Sequence, residues 1–436
     1  MIDLFKETPS WQENVTYVEQ QYHLINDKFR FKTVPAGRRS GKTFLFKRHL
    51  CKEAFKIPGM YFAGAPTRSQ AKAIFWKDIG SLIPQRFHAR QPSLTELIYS
   101  LKNGSEIHVV GLDKPERIEG VPWTGGGIDE FGNCKAGTWG ENIRPALSTI
   151  GLNTWCWLFG VPEGLNDYYD VAEYSKNGND PEWGDYRWHS SAILSSKEIE
   201  AVKRQLSPKQ FRQEYEASFE GATGRVYEDY DKENHSDKVF NPATAIHWTH
   251  DFNFVPLSSA IIQIYQDKIT KVEKAYCVDE IVLESAVAKN AALEFVEKYK
   301  GFERVPVYLY GDASGIKGEK HGIESEYITI QKTLQQAGFT VHARYPRSNP
   351  AIKDGQNSLR AKILNANMDR SFFVNPAKCK YCDKGLLTVQ LKKGSAFQEE
   401  ESKYQHITTA MRYFTNVKWP IKEVGGVQVV KAVNLT

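Results

Sequence analysis

Through its first half the chain alternates apolar runs of strand length with stretches of helical spacing. Phe29–Val34 is an apolar and aromatic run, and Phe44–Phe55 after it reads as an amphipathic helix. Met60–Ala65 predicts a buried strand, with Pro66–Phe75 as its turn and following helix. Glu96–Leu101 and Glu106–Val110 flank Lys102-Asn-Gly-Ser, a hairpin signal. Thr154–Val161, with two Trp, a Leu and a Phe, predicts another interior strand. Strands alternating with helices in this way predict a doubly wound α/β domain over residues 1–162.

The pattern changes at residue 163. Residues 163–220 are polar and rich in Tyr, Trp, Asn and Asp, then helical from Ser196 to Phe219. Ser207-Pro-Lys-Gln-Phe opens a helix with Ser as cap and Pro at its first position. A lid or linker subdomain over 163–225 follows. Gly221-Ala-Thr-Gly starts a break, Asp229–Asp237 is polar and charged, and a second domain, 226–436, begins around it. Ala245–Asp251, Ser258–Tyr265 and Lys271–Val278 predict a three-strand meander, 286–299 a helix, and Val305–Tyr310 a further strand.

Composition narrows the class. A chain of 436 residues exceeds one ordinary core. No apolar run approaches the 18 residues or so of a membrane span. The start, Met1-Ile-Asp-Leu-Phe-Lys, lacks the layout of a signal peptide, so a cytoplasmic setting is expected. The net charge of +5 is concentrated: residues 1–377 carry 47 charges of each sign, while 378–436 carry ten Lys/Arg against five Asp/Glu. That basic segment suits a polyanionic partner such as nucleic acid. The six cysteines are scattered, as reduced thiols are. Cys379 and Cys382 form a lone Cys-x-x-Cys with no second ligand pair, so structural zinc is not expected.

The chemistry-bearing segment is Ala36-Gly-Arg-Arg-Ser-Gly-Lys-Thr43, between the first predicted strand and helix. Strand, tight loop and helix N-terminus form a phosphate cradle. Gly37, Arg38, Arg39, Ser40 and Gly41 line it, Lys42 reaches the β/γ-phosphates, and the Thr43 hydroxyl ligates Mg²⁺. Ala36 stands where the strict pattern has Gly. The second element is Ile128-Asp129-Glu130-Phe131, 87 residues beyond Lys42. Asp129 is the metal-side carboxylate, and Glu130 is the general base that orients the attacking water. Gly125-Gly-Gly before it is unusual for a buried strand. Phosphoryl transfer also wants an arginine near the developing charge, and Arg38, Arg39 and Arg117 are the candidates.

Together these motifs, with Gly64-Ala-Pro-Thr-Arg-Ser-Gln and Asp113…Arg117-Ile-Glu-Gly120, resemble the large terminase subunit of tailed double-stranded DNA viruses. The resemblance implies an N-terminal P-loop ATPase of mostly parallel sheet joined to a C-terminal RNase H-like nuclease. Trp11-Gln12 resembles that family's adenine-contacting element, which makes Gln12 a nucleotide contact. Gly160-Val-Pro-Glu-Gly resembles its coupling motif, with Val161 where Ser or Thr is usual.

Nucleases of this type cleave phosphodiesters with two cations held by carboxylates at strand ends, within about 4 Å. Asp251, closing one predicted strand, and Asp312, after Val305–Gly311, resemble the first and second catalytic aspartates. Glu280, of the pair Asp279-Glu280, resembles a further ligand. Where the family places a third Asp on a helix, His406-Ile-Thr-Thr-Ala-Met-Arg-Tyr413 has Thr409. His406, or Glu399–Glu401, are the candidate substitutes. The implied function is a packaging motor: ATP and Mg²⁺ at the first site, Mg²⁺ or Mn²⁺ at the second. Its implied partners are double-stranded DNA, the portal protein, the small terminase subunit and further copies in a ring, in the host cytoplasm. The alternative is a helicase-like translocase whose C-terminal domain binds DNA without cutting it.

Overall fold

The computed structural model describes residues 18–148, 153–221, 224–252, 255–316, 325–393, 395 and 397–421. It divides into two compact units: one runs to Ile199 and resumes over Phe211–Gly221, and the other holds Glu200–Gln210 and the chain after Gly221.

The first unit is built on β1 (Phe31–Pro35), β2 (Met60–Ala65), β3 (Ile98–Ser100), β4 (Glu106–Gly111), β5 (Trp123–Ile128), β6 (Trp155–Gly160) and β7 (Trp183–Asp185). Their order is β3-β4-β2-β5-β6-β1-β7. β3 pairs antiparallel with β4, as the hairpin signal requires, and the other strand-to-strand ladders of this sheet are parallel. Alternate residues feed opposite faces: Tyr61 and Ala63 enter one core, Phe62 and Ile128 the other. The three glycines of β5 explain themselves here. An added Cβ would lie 2.2 Å from Trp155 at Gly125, 2.4 Å from Phe62 at Gly126 and 2.5 Å from Phe46 at Gly127. Aromatic rings from neighbouring elements fill the space that β5 side chains would take.

The stretch expected as a lid is divided differently. Residues 163–199 belong to the first unit, where β7 extends the sheet by pairing with β1. Helix Asp167–Lys176 precedes β7, capped by the Asn166 side chain on the Tyr168 amide at 3.1 Å.

The second unit holds β8 (Ile246–Asp251), β9 (Leu257–Gln266), β10 (Glu273–Leu283), β11 (Val307–Gly311), β12 (Val341–Ala343) and β13 (Phe372–Val374), in the order β12-β11-β8-β9-β10-β13. β8, β9 and β10 form the expected antiparallel meander, and β11 lies parallel to β8 on its other side. This is the RNase H-type sheet. β10 runs past its predicted end at Val278, because a bulge between Cys277 and Asp279 absorbs one residue and pairing resumes. Asp279 and Glu280 therefore sit inside the strand. One face packs on helices Ala288–Lys298 and Glu326–Gln336, the other on Ile352–Ile363, Lys380–Thr388 and Gln405–Lys418.

Candidate functional sites

In the first unit, β1 ends at Pro35 and helix Lys42–Lys56 begins shortly after. The loop between them turns through left-handed backbone at Arg39 (φ 56°) and Gly41 (φ 87°). It is tied down from behind. The Gly37 amide donates to the Trp188 carbonyl at 3.1 Å, and the Arg38 amide to the Glu214 carbonyl at 2.7 Å. The Ser190 hydroxyl donates to the Arg38 carbonyl at 2.7 Å. The Ser40 carbonyl accepts from Gln21 Nε2 and Trp188 Nε1, each at 2.9 Å. Gly37 is obligatory, since a Cβ would lie 2.3 Å from Ser190 Oγ and 2.6 Å from the Tyr215 carbonyl. The first helical amides, from Lys42 and Thr43, have no intrahelical acceptor and form an anion-binding end.

β5 delivers the acidic pair to this loop. Thr43 Oγ1 donates to Asp129 Oδ2 at 2.7 Å, and the Glu130 amide donates to Asp129 Oδ1 at 2.9 Å. Lys42 is buried, with Nζ 3.4 Å from the Gly37 carbonyl. Burial lowers the Lys42 pKa, and the charges of Glu130 and Asp129 oppose that. Burial raises both carboxyls, Lys42 opposes it, and Asp129 pushes Glu130 further up. One lysine thus faces a buried and a half-buried carboxylate, and the surplus negative charge together with the Thr43–Asp129 oxygens fits a hydrated divalent cation. Glu130 takes left-handed backbone (φ 51°), and Gly160 gives it room, since a Cβ there would lie 3.1 Å from Glu130 Cα.

The arginines differ in placement. Arg38 Nε pairs with Glu214 Oε2 at 2.8 Å, so its guanidinium is turned to helix Pro208–Tyr215. Arg39 is exposed at the turn, and Arg117 is exposed on the short helix Pro115–Ile118 after β4. Gln12 lies outside the described residues. The backing of the loop by Trp188, Ser190 and Glu214 was not foreseeable, since nothing in the sequence of residues 188–214 marks a contact with residues 36–41.

In the second unit, Asp251 closes β8 and Asp312 follows β11. Gly311 pairs with His250 in that parallel ladder, which puts the two aspartates side by side on neighbouring strands. Asp251 Oδ2 shares a hydrogen bond of 3.0 Å with His406 Nδ1, on helix Gln405–Lys418. Asp312 is turned to its own loop: Ser314 Oγ and Asn349 Nδ2 each donate to it at 2.6 Å. Among the described residues no three His, Cys, Asp or Glu side chains converge closely enough to hold an ion.

Other expected ligands are engaged elsewhere. Glu280 pairs with Ala260 of β9, two strands away from β8, and its oxygens accept the Tyr381 and Cys382 amides at 2.9 Å each. It caps helix Lys380–Thr388 and does not join Asp251 and Asp312; the β10 bulge moved it off the strand end. Glu399 is buried against Arg412 at 2.5 Å, so it does not reach in either. Thr409 is buried on the helix, one turn from His406. Glu326, which no motif singles out, lies within electrostatic reach of the aspartates. Burial, then the charges of Asp312 and Asp251, push its carboxyl up to about 7. Only the Ser325 cap signals its helix, and no strand precedes it directly in sequence.

Residues 34–231 match the family model described as the N-terminal part of the terminase large subunit, T4likevirus-type. A curated relative, the large terminase subunit of Escherichia phage T5, is 26% identical over 235 residues, 51% of this chain and 52% of that protein. The chain therefore spans about half the length of the curated relative it matches. The solved large terminase of a thermophilic bacteriophage covers 92% of this chain and 99% of its own, with a TM-score of 0.58 at 15% identity. The same protein in complex with ADP matches over the same shares, with a TM-score of 0.57 at 14% identity. Family model, curated relative and shared fold agree on the resemblance that the motifs carry, the large terminase subunit.

Proposed function

We propose that this chain is the large subunit of a viral DNA-packaging motor, an ATPase that drives double-stranded DNA into a procapsid and a nuclease that cuts concatemeric DNA. The observation that carries the reading is the Thr43 Oγ1–Asp129 Oδ2 contact of 2.7 Å beside Lys42 and Glu130. It joins the phosphate cradle to the acidic pair in one pocket. The Lys42 ammonium and the first helical amides bind the β/γ-phosphates. Thr43 and Asp129 are the groups that would hold Mg²⁺, which neutralises developing phosphate charge. Glu130, destabilised as a carboxylate by burial, accepts the proton of an aligned water. Arg39 and Arg117 are the arginines that would approach the γ-phosphate, whereas Arg38 is held by Glu214. Gln12 is the adenine contact in this reading.

At the second site Asp251 and Asp312 would hold Mg²⁺ or Mn²⁺, with His406 orienting Asp251. The portal protein, the small terminase subunit and further copies in a ring are the partners of such a motor, and the host cytoplasm is where it works. No helix among the described residues is long and apolar enough to cross a membrane.

The test is Glu130→Gln. ATP hydrolysis stimulated by DNA falls by about 10²–10⁴-fold, the range for removing a general base, while nucleotide binding persists. Unchanged turnover would overturn the ATPase assignment. A second reading, a translocase whose second unit binds DNA without cutting, is favoured by one observation: Thr409 where a carboxylate is needed. Plasmid incubated with the protein and Mn²⁺ separates them, since only the motor-nuclease converts supercoiled to nicked circles.

A further inference from the structure

We propose that the face formed by Lys380, Tyr381, Lys384, Lys403 and Tyr404 holds the sugar-phosphate backbone of double-stranded DNA and leads it to Asp251. The inference deepens the function proposed above and rests on its reading of the second unit as one that handles DNA. Both readings given there, with cutting and without, share that premise. What is added is where on the unit the duplex lies.

Two helices meet here at a glycine. A Cβ added to Gly385 would lie 2.9 Å from Thr408 Cγ2 and 3.0 Å from the Tyr404 carbonyl oxygen, so helix Lys380–Thr388 comes into close contact with the start of helix Gln405–Lys418. That approach sets the Tyr381 and Tyr404 rings 5.2 Å apart. Lys384 Nζ lies 5.2 Å from the Tyr404 ring, and Lys403 Nζ lies 5.3 Å from Tyr404 and 5.8 Å from Tyr381. The ring faces fix where the two ammoniums stand without neutralising them. Lys380, one turn before Lys384 on the same helix, adds a third charge. The platform is anchored to the sheet, since Glu280 of β10 accepts the Tyr381 and Cys382 amides at 2.9 Å each.

These charges are uncompensated. Lys380, Lys384 and Lys403 are exposed, with no ion-pair partner among the described residues. Two acids of the same segment are used elsewhere. Asp383 takes His235 Nε2 at 2.9 Å and the Tyr230 hydroxyl at 2.8 Å, and Glu399 is buried against Arg412. Glu400 and Glu401 are exposed ahead of Lys403 and pair with none of the three lysines. Exposed ammoniums set close together gain from a phosphate backbone by releasing its counter-ions. Position selects that polyanion over an acidic protein. His406, two residues after Tyr404, shares its 3.0 Å hydrogen bond with Asp251. A phosphodiester brought to the aspartates is repelled by them, and positive charge beside them offsets that repulsion.

The experiment is fluorescence anisotropy of a short labelled duplex with the full chain, in EDTA so that nothing is cut, at several salt concentrations. In Lys384→Ala/Lys403→Ala, affinity at about 0.1 M salt should fall at least about tenfold, and the slope of log affinity against log salt should become shallower by about 1.8, two phosphate contacts at about 0.9 each. Lys384→Arg/Lys403→Arg keeps both charges and should keep the slope. Lys268→Ala/Lys300→Ala removes the same charge at the other end of the sheet, beyond the end of β9 and before the start of β11, and should bind as wild type does. Melting temperature checks folding, and a Gln pair replaces the Ala pair if that temperature falls. Wild-type affinity and slope in Lys384→Ala/Lys403→Ala would overturn the assignment and leave DNA handling intact. An equal loss in the two alanine pairs would overturn it too, by reducing the effect to net charge. If the wild-type chain binds no duplex at any salt concentration, the DNA-handling reading itself falls and takes this face with it.

Discussion

His49 is set among groups that forbid its protonation. Its ring lies flat on Trp157, centroids 4.5 Å apart at 15°, and Nδ1 is enclosed without a partner. Burial, then the charges of Lys32, Lys52 and Lys56, push its pKa down to about 3. An unfolded chain protonates the same ring near 6.5. The folded pKa is depressed, so the neutral ring's contribution is complete above pH 6.5 and is lost as pH falls toward 3. In that window the unfolded state binds one more proton, a slope of up to about 1.4 kcal/mol per pH unit. His49→Phe should flatten the fall in stability between pH 6 and 4 by up to that amount, measured by urea unfolding at several pH values; an unchanged slope would show that the ring titrates freely. Other single residues were readable in sequence where chemistry dictates type and order. Lys42, Thr43, Asp129 and Glu130 follow from what a triphosphate and its metal require. His49 was not, because its role comes from neighbours distant in sequence.

At the level of elements, β5 shows how a motif constrains a strand. The strand lies between β2 and β6, with Gly125–Ile128 paired on both sides and every residue buried. Its interior comes from Phe46, Phe62 and Trp155 on other elements, which occupy the volume above and below the glycines. Gly126→Ala would put a methyl 2.4 Å from Phe62 Cδ1 and 2.5 Å from the Phe62 carbonyl oxygen, and a backbone atom in a central strand yields little. The expected loss is about 1–3 kcal/mol of stability, read as a lower melting temperature of the first unit. Gly140→Ala is the contrast: a Cβ there meets nothing within 4 Å, so it should be neutral or slightly stabilising. Equal effects would refute the packing account. Strand positions in both sheets were legible because apolar runs bounded by turn residues leave few alternatives. β2 matches its predicted span to the residue. What escaped was anything set by pairing: the bulge that carries β10 past Val278, and β7, three residues long, whose membership of the sheet depends on β1 being there.

The whole chain does not pass once from one unit to the next. Residues 200–210 belong to the second unit and 211–221 return to the first. A simple boundary near residue 225, natural from composition, hides that return. Within the first unit the returning segment supplies what the nucleotide loop leans on. The Glu214 carbonyl accepts the Arg38 amide at 2.7 Å, and its carboxylate holds Arg38 Nε at 2.8 Å. Tyr215 supplies the carbonyl that closes the space over Gly37. A fragment ending at Ile199 keeps every strand of the first sheet, yet frees the loop on that side. An unmet amide and a lost charge-assisted bond together cost about 2–4 kcal/mol, and the loop would have to recover that ordering on binding. Fragment 1–199 should therefore bind ATP at least about tenfold more weakly than fragment 1–221, since about 1.4 kcal/mol is a factor of ten. Fluorescent-nucleotide titration of the two fragments measures it, with circular dichroism to confirm that the sheet forms in each. Equal affinities would mean that residues 211–221 are carried by the first unit without supporting its loop. A loss reversed by supplying 204–221 as a separate peptide would locate the support in Glu214 and its helix.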